Sequence, residues 1–387
     1  MRPPLLSANG APHASLLDQM AATPRYRYNG LPNDLAHVVI FADQRNAAEA
    51  CEAVAAHCPH VAIAGACVHK GETSHITAHV HGKSRSIPVL EPDRLKDFPH
   101  CLAVLFWSDS IVPDLLYHLE TAIRSTLNIA IFPRIPMGAG RKMNASLYSQ
   151  FGRDLEAIYA NLADDESRLS FASVIKGLLT GDIEWLRPPV CPEYQHPAVL
   201  PAPGDIVLDA GLFDSTVLRR FALAVGSQGH CYGFEPEPNN LAFVRKTIQQ
   251  FGNPGNITLV DKGLFSCRGH MYISAQGPSG VLQPIACGDS SPCVVIDVDS
   301  FVEEYSLPRV DLIKMDIEGA EMDALRGAVK SIQRWKPKLH ICAYHHIHDV
   351  IDIPVFIKQI VPSYSFYFTA HAPYLNEYTY YACSEDS

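Results

Sequence analysis

The chain has 387 residues, of which 47% are hydrophobic and 19% charged, and a formal net charge of −10. That length exceeds one ordinary core and points to two or three domains of a normal globular protein. The acidic balance, with no block of Lys or Arg, excludes non-specific nucleic-acid binding, which needs a basic footprint. Eleven cysteines without a CxxC pair suit reduced thiols better than a disulfide framework or a zinc site. The N-terminus has no long apolar stretch and no later run reaches spanning length. The expectation is a cytoplasmic protein without a membrane span.

Residues 1–33 are rich in Pro, Ala and Asn without a period and read as an N-terminal arm. A small α/β domain is expected over 34–135. Its strands are Val38-Val39-Ile40-Phe41-Ala42, Val61-Ala62-Ile63-Ala64-Gly65, Leu102-Ala103-Val104-Leu105-Phe106-Trp107 and Ile129-Ala130-Ile131-Phe132. Ala47, Ala48, Cys51, Val54 and Ala55 give a helical pattern. Ile87-Pro88-Val89-Leu90 reads as the lead into a helix capped by Glu91-Pro92-Asp93. Strands alternating with helices imply a small parallel sheet. The strand-turn-helix of 38–54 and the run IPVLEPDRL make this domain resemble the small Rossmann-like domain of sugar-modifying enzymes. Its first turn, Phe41-Ala42-Asp43-Gln44-Arg45-Asn46, lacks the glycines that let backbone approach a pyrophosphate. A scaffold, dimerisation or acceptor-docking role is expected of it. Self-association into a homo-oligomer through this domain is one option that this leaves open.

Residues 136–203 read as a helical linker. A helical stretch is expected from Leu155, and a second helix opens at Asp164-Asp165-Glu166-Ser167 with Phe171, Val174, Ile175 and Leu178 on one face. Acids in a first turn suit the helix dipole. The proline-rich run 188–203 then delivers the chain to the largest domain, 204–387. Strands are expected at 206–208, 230–234, 257–260, 312–315 and 339–344, with helices at 215–225, 238–251 and 320–332. Residues 269–273 and 293–296 read as an inserted hairpin. Residues 364–368 and 378–382 supply two aromatic strands that complete a mixed sheet. The fold class is thus a Rossmann-like sheet with helices on both faces, preceded by a smaller α/β domain.

Three strand ends in this domain carry chemistry. The first runs into Asp209-Ala210-Gly211-Leu212-Phe213-Asp214-Ser215, the second into Gly233-Phe234-Glu235-Pro236, and the fourth into Lys314-Met315-Asp316-Ile317-Glu318-Gly319-Ala320-Glu321. Parallel strands that end in carboxylates present them at the sheet's carboxyl edge, where open α/β sheets bind ligands. Gly211 permits a sharp turn and close approach of a ligand. Asp209 beside it would hold a cationic group. Glu235, 26 positions on, suits the two hydroxyls of a ribose. Pro236 and Pro238 hold the next turn, and Asn239 is the expected helix cap.

The segments FEPEPNNL, LVDKGLFS, DLIKMDIEGAE and YHHIHDVIDIP occur in this order in FkbM-type methyltransferases. LADDESRLSF upstream and TAHAPYLNEYTYYA at the end strengthen the likeness, which runs over about 161–383. The resemblance implies an S-adenosylmethionine-dependent O-methyltransferase. Its acceptor would be a small-molecule or glycan hydroxyl, on a sugar or secondary metabolite. It implies that Asp209, Gly211, Phe213 and Asp214 form the methionine-side loop, where Ser215 replaces a usual glycine. It gives Glu235, with Pro236, to the ribose, Gly263 and Leu264 to the adenine, and Tyr194 to a cover over the cofactor. Ser215 and the glycine-free N-terminal turn support an alternative, a catalytically inactive binding or scaffold protein.

Methyl transfer is an in-line displacement that requires the acceptor to be aligned and deprotonated. His345, after the next strand, is the candidate base or acceptor-orienting group. Asp316 is its partner or a polariser of the hydroxyl. Asp316, Glu318, Glu321 and His345 could also hold a divalent metal. Acids at a helix start need no ion, and a metal is not the favoured reading.

Overall fold

The structure, a computed structural model, describes residues 15–23, 37–43, 47–48, 51–52, 55, 62–69, 74–80, 82–90, 102–105, 129–131, 143 and 145–384, apart from 181–184, 188, 190, 214, 251, 253, 275–279, 289 and 372–376. It divides into two compact units. One comprises 25–142 and 180–185, the other 1–24, 143–179 and 186–387.

The smaller unit holds a parallel sheet of β1 (His37–Asp43), β2 (Ala62–His69), β5 (Leu102–Leu105) and β6 (Ile129–Ile131), in the order β2-β1-β5-β6. Val38, Val39 and Ile40 are buried, as are Ala47, Cys51 and Ala55 on the helical segment that follows. A hairpin of β3 (His75–Val80) and β4 (Lys83–Pro88) is an addition to the sequence expectation. Lys83-Ser84-Arg85-Ser86 in β4 is exposed throughout, so no apolar alternation marks it. Ile87 and Pro88 close this strand. The expected cap at 91–93 and the turn residues 44–46 lie outside the described residues.

The larger unit begins with α1 (Leu16–Ala22), inside the stretch expected as an arm. Ser15 caps it by accepting from Asp18 N–H, and Glu156 accepts from Leu16 N–H at 2.8 Å. Glu156 lies on α2 (Ala145–Ala160), which starts ten residues before the helical stretch expected from Leu155. Next comes α3 (Asp165–Thr180), with Phe171, Val174, Ile175 and Leu178 buried. Both helices of the expected linker pack within this unit.

The main sheet has seven strands: β7 (Ile206–Ala210), β8 (His230–Phe234), β9 (Ile257–Val260), β14 (Leu312–Met315), β15 (Lys338–Cys342), β16 (Tyr364–Ala370) and β17 (Tyr378–Ser384), in the order β16-β17-β15-β14-β7-β8-β9. All neighbours from β15 to β9 run parallel, and β17 is antiparallel to both of its neighbours. An edge strand exposes unpaired N–H groups. Here α3 covers that edge: Ser167 Oγ accepts from Phe368 N–H at 3.0 Å and Ser170 Oγ from Ala370 N–H at 3.1 Å. Crossover helices are α4 (Thr216–Val225) and α5 (Pro238–Gln250). The expected insert is a four-stranded sheet of β10 (Gly263–Leu264), β11 (Gly269–Ile273), β12 (Leu282–Gln283) and β13 (Ser291–Ile296), with β11 and β13 antiparallel.

After α6 (Val298–Glu304), the single helix expected at 320–332 is two, α7 (Glu321–Arg326) and α8 (Val329–Trp335). Gly327 sits between them where a Cβ would lie 2.4 Å from Phe265 O. Asp299 of α6 restarts the chain as α8 by accepting from Lys330 N–H, Ser331 N–H and Ser331 Oγ. The last helix is α9 (Asp349–Ile360). No helix among the described residues is long and apolar enough to cross a membrane.

His340 in β15 is completely buried, with Nε2 2.8 Å from Val199 O. Burial pushes its pKa down to about 3, so the folded chain holds a neutral ring that the unfolded chain protonates below the ordinary value near 6.5. The stability it contributes is complete above pH 6.5 and is lost as pH falls below it. Thermal melts should show stability dropping between pH 6.5 and 4.5. His340→Gln, which cannot take the proton, should reduce that slope by about one proton, or about 1.4 kcal/mol per pH unit. Equal slopes in the two proteins would remove this role.

Candidate active site

Strand order reverses at β7, which lies between β8 and β14. Ligands of open α/β sheets bind outside the carboxyl ends at such a point. Asp209 pairs in register with Gly233 on one side and Lys314 on the other. The ladder continues past the strands: Gly211 N–H donates to Phe234 O, Asp316 N–H to Ala210 O and Glu235 N–H to Val260 O. Two positions beyond the Asp209 row, Gly211, Glu235 and Asp316 therefore lie level at one rim. Gly211, between the acids, has φ +83°, and a Cβ there would lie 1.7 Å from Asp316 O. Only glycine lets these two loops close on each other.

Lys314 underlies this rim, a residue that the sequence reading passed over. It is 1% exposed, and its Nζ donates to Ala210 O at 3.0 Å and Gly211 O at 2.5 Å and lies 3.2 Å from Asp209 Oδ1. Burial works against the ammonium, but Asp209 and Asp316 outweigh it and raise its pKa. Asp209 is itself fully buried. It holds the lysine from beneath, where the sequence reading has it holding a ligand cation. A lone lysine between Ile313 and Met315 in an apolar strand is the signal for such a partner, since a buried ammonium needs an anion.

The loop after β7 is strained. Phe213 has φ +42° and Ser215 φ +68°, a region that costs non-glycine residues roughly 1–2 kcal/mol. Phe213 is 43% exposed. Ser215 is completely buried at the start of α4, and its Oγ has no hydrogen-bond partner among the described residues. Asp214 lies outside the described residues. Glu235 is 6% exposed, accepting from Glu237 N–H at 2.9 Å and from Asn240 Nδ2 at 2.6 Å. Burial raises its pKa, and those bonds act against the rise. The helix cap expected from Asn239 is supplied by Glu237, whose carboxylate accepts from the N–H groups of Asn239 and Asn240. Beside this turn, a Cβ on Gly263 would meet Pro236 Cγ at 3.3 Å. Gly263 and Leu264 are both buried in β10.

On the other side, Asp316 keeps a quarter of its side chain exposed. Tyr194 Oη donates to its Oδ2 at 2.7 Å and Tyr344 Oη to its Oδ1 at 2.8 Å. Burial works to raise Asp316, but Lys314, His345 and the two tyrosines outweigh it and hold it below the usual carboxylate range. Tyr194, expected over the cofactor, is 2% exposed with φ +54°, its N–H donating to Tyr381 Oη and its ring 5.2 Å from Lys314 Nζ. It orients Asp316 from within the core. Glu193, next to it, is pushed up to about 7, first by burial and then by Asp316. Neither Tyr344 nor Glu193 carries a motif that would single it out in sequence.

His345 lies among three acids. Its side chain is 6% exposed, with Nδ1 2.9 Å from Glu321 Oε1 and Nε2 3.4 Å from Glu318 and 3.7 Å from Asp316. Burial opposes a charged ring, but Glu321, Glu318 and Asp316 outweigh it and hold the pKa well above the usual 6.5. Glu321 is fully buried, each oxygen accepting one N–H of its own loop, from Ile317 at 2.8 Å and Gly319 at 3.1 Å. Glu318 has φ +55°.

Glu235 and Asp316 thus lie level at the switch point of a parallel α/β sheet, the place where sheets of this class bind ligands. Residues 204–381 match the family described as Methyltransferase FkbM domain. The chain is 26% identical over 134 residues to the hexuronic acid methyltransferase AglP of Haloferax volcanii. That alignment covers 33% of this chain and 52% of the relative, so the chain spans about half the length of the curated relative it matches. The crystal structure of methyltransferase FkbM from Methylobacillus flagellatus KT superposes with a TM-score of 0.55 at 18% identity, covering 95% of this chain and 98% of that one. It shares the fold.

Removing one member of a buried ion pair strands the other. Lys314→Met should cost about 3–5 kcal/mol in urea unfolding, and adding Asp209→Asn should restore part of it. A loss below about 1 kcal/mol for the single variant would show that the loop does not depend on this cation.

Proposed function

We propose that this chain is an S-adenosylmethionine-dependent O-methyltransferase acting on a hydroxyl of a sugar, glycan or secondary metabolite. The observation that carries the reading is the acid-edged switch point inside the stretch that matches the FkbM methyltransferase family. The name of the Haloferax relative, a hexuronic acid methyltransferase, supports a sugar acceptor.

The residues fit the cofactor. Glu235 spends part of its acceptor capacity on Glu237 N–H, Asn240 Nδ2 and the Leu212 backbone and offers the remainder to ribose hydroxyls. The unpartnered Oγ of Ser215 offers a bond to a polar ligand group at the start of a ten-residue helix, where the dipole favours a carboxylate. The acids around His345 outnumber the local cations, which suits a ligand bearing a sulfonium. S-adenosylmethionine supplies the activated methyl group. Asp316, held by two tyrosine hydroxyls, receives and aligns the acceptor hydroxyl. His345, buried among carboxylates, fixes the position of Asp316 and Glu318 around it.

Isothermal titration with S-adenosylmethionine tests the reading, with transfer of a labelled methyl group to a panel of sugars and glycans as the second measurement. Glu235→Ala should weaken cofactor binding by about 1–3 kcal/mol, roughly 5- to 150-fold. No heat from the unaltered protein would leave the scaffold reading in its place.

His345→Ala should keep cofactor affinity within about threefold while slowing turnover about 100-fold, because Asp316 and Glu318 lose their fixed positions. Full turnover in this variant would remove His345 from the chemistry.

A further inference from the structure

The carboxyl ends of β14 and β15 hold more negative charge than their own side chains neutralise. Asp316, Glu318 and Glu321 surround one imidazole within 3.7 Å. The nearest full positive charge, Lys314, is matched by Asp209 beneath the loop. His346 lies at the rim with its Nε2 at Gly319 O, and Asp349 is occupied by His346 N–H. Even a protonated His345 balances only one of the three acids around it.

The geometry of the donors is specific. One ring nitrogen of His345 and one oxygen each of Asp316 and Glu321 lie within 4.8 Å of one another. Donors bonded to one six-coordinate ion at about 2.1–2.2 Å stand about 3 Å apart when adjacent and about 4.3 Å apart when opposite. Each donor is also held from behind. Two tyrosine hydroxyls fix Asp316, two backbone N–H groups fix Glu321, and burial fixes His345. Outer contacts of this kind are what orient metal ligands. Each oxygen of Glu321 accepts one backbone N–H, and Oε1 also stands 2.9 Å from His345 Nδ1, so the lone pair left over is on Oε2. Neither ring nitrogen of His345 makes an aligned hydrogen bond among the described residues, although the ring is 94% buried and both nitrogens face carboxylates.

We propose that Asp316, Glu321 and His345 bind one divalent cation of the Mn2+ or Mg2+ type, with Glu318 at its open side. Two carboxylates and one imidazole suit such an ion better than a thiophilic one. The proposal rests on the reading of this crevice as the methyl-transfer site, and it gives the site a way to activate an unreactive hydroxyl. The ion takes the acceptor oxygen as a ligand and weakens its hold on the proton, which passes to Glu318 or to water. It also makes an acceptor with two adjacent oxygens the fitting class, such as a vicinal diol or a hydroxyl beside a carboxylate. Such a pair fills two neighbouring positions on one ion, and a negative acceptor would otherwise be repelled by these acids.

The test uses the full chain, freed of metal by chelation, and Mn2+ as the probe. The loss of the free-ion paramagnetic resonance signal should saturate at one Mn2+ per chain. Asp316→Asn and His345→Gln should each weaken binding by about tenfold or more, with circular dichroism and melting showing that both remain folded. S-adenosylmethionine is titrated into the same samples. A protein that binds the cofactor but shows no saturable Mn2+ binding overturns the ion site alone. Unchanged Mn2+ affinity in both folded variants also overturns it. Mn2+ binding that is lost in the variants of a protein indifferent to S-adenosylmethionine upholds the ion site and overturns the methyl-transfer reading.

Discussion

A lysine ammonium buried in the middle of a parallel sheet is the constraint on which the rest of the site depends. Lys314 sits between Ile313 and Met315 in a strand with no exposed position, so it must find its partners inside the protein. Burying an unpaired ammonium is far more costly than any single contact is worth. Lys314 finds Asp209 on the neighbouring strand and two carbonyls where the chain leaves that strand. Those carbonyls belong to Ala210 and Gly211, so the cation pins the first residues of the β7 loop against β14. Gly211 must then adopt a left-handed conformation within contact distance of Asp316 O, and the following residues inherit strain. Strain of this type persists where surrounding structure over-determines it, as at binding sites. Asp316, two positions after the lysine, is carried to the rim by the same register.

Much of the fold was legible because its strands are apolar runs ending in Gly, Pro or acids. The parallel strands around β7 and β14 and the order of helices between them follow from that punctuation, and the level placement of Glu235 and Asp316 at adjoining strand ends follows from the parallel pattern, whereas Asp209 lies two positions lower, beneath the rim. The elements that escaped have physical reasons. The β3–β4 hairpin exposes most of its second strand, so no alternation betrays it. The break at Gly327 is imposed by the backbone of Phe265, more than sixty residues away, and by capping from Asp299. The cap on α5 falls to Glu237 and not to Asn239 because the helix already begins at Pro238, which puts Asn239 inside its first turn. Tyr194 and Lys314 act through tertiary contacts across 122 and 103 positions, which no local pattern encodes.

The acids at the rim differ in how much bonding capacity the fold has already used, and this separates structural from functional roles better than their spacing does. Asp209 is sealed in the core on Lys314. Glu237 is spent on the start of α5. Glu321 satisfies its own loop yet stays beside His345 with a lone pair remaining on Oε2. Asp316 accepts two bonds from the protein, about half of what a carboxylate can take, and Glu235 accepts from Glu237 and Asn240 and is favoured by the Leu212 backbone. Glu318 accepts none from the backbone among the bonds that order its loop, and its left-handed conformation keeps it at the rim, with its side chain 31% exposed. A chain selected for stability alone gains nothing from holding three carboxylates around one buried imidazole, since neighbouring like charges raise the free energy of the folded state. Such an arrangement makes physical sense where a positively charged ligand completes it.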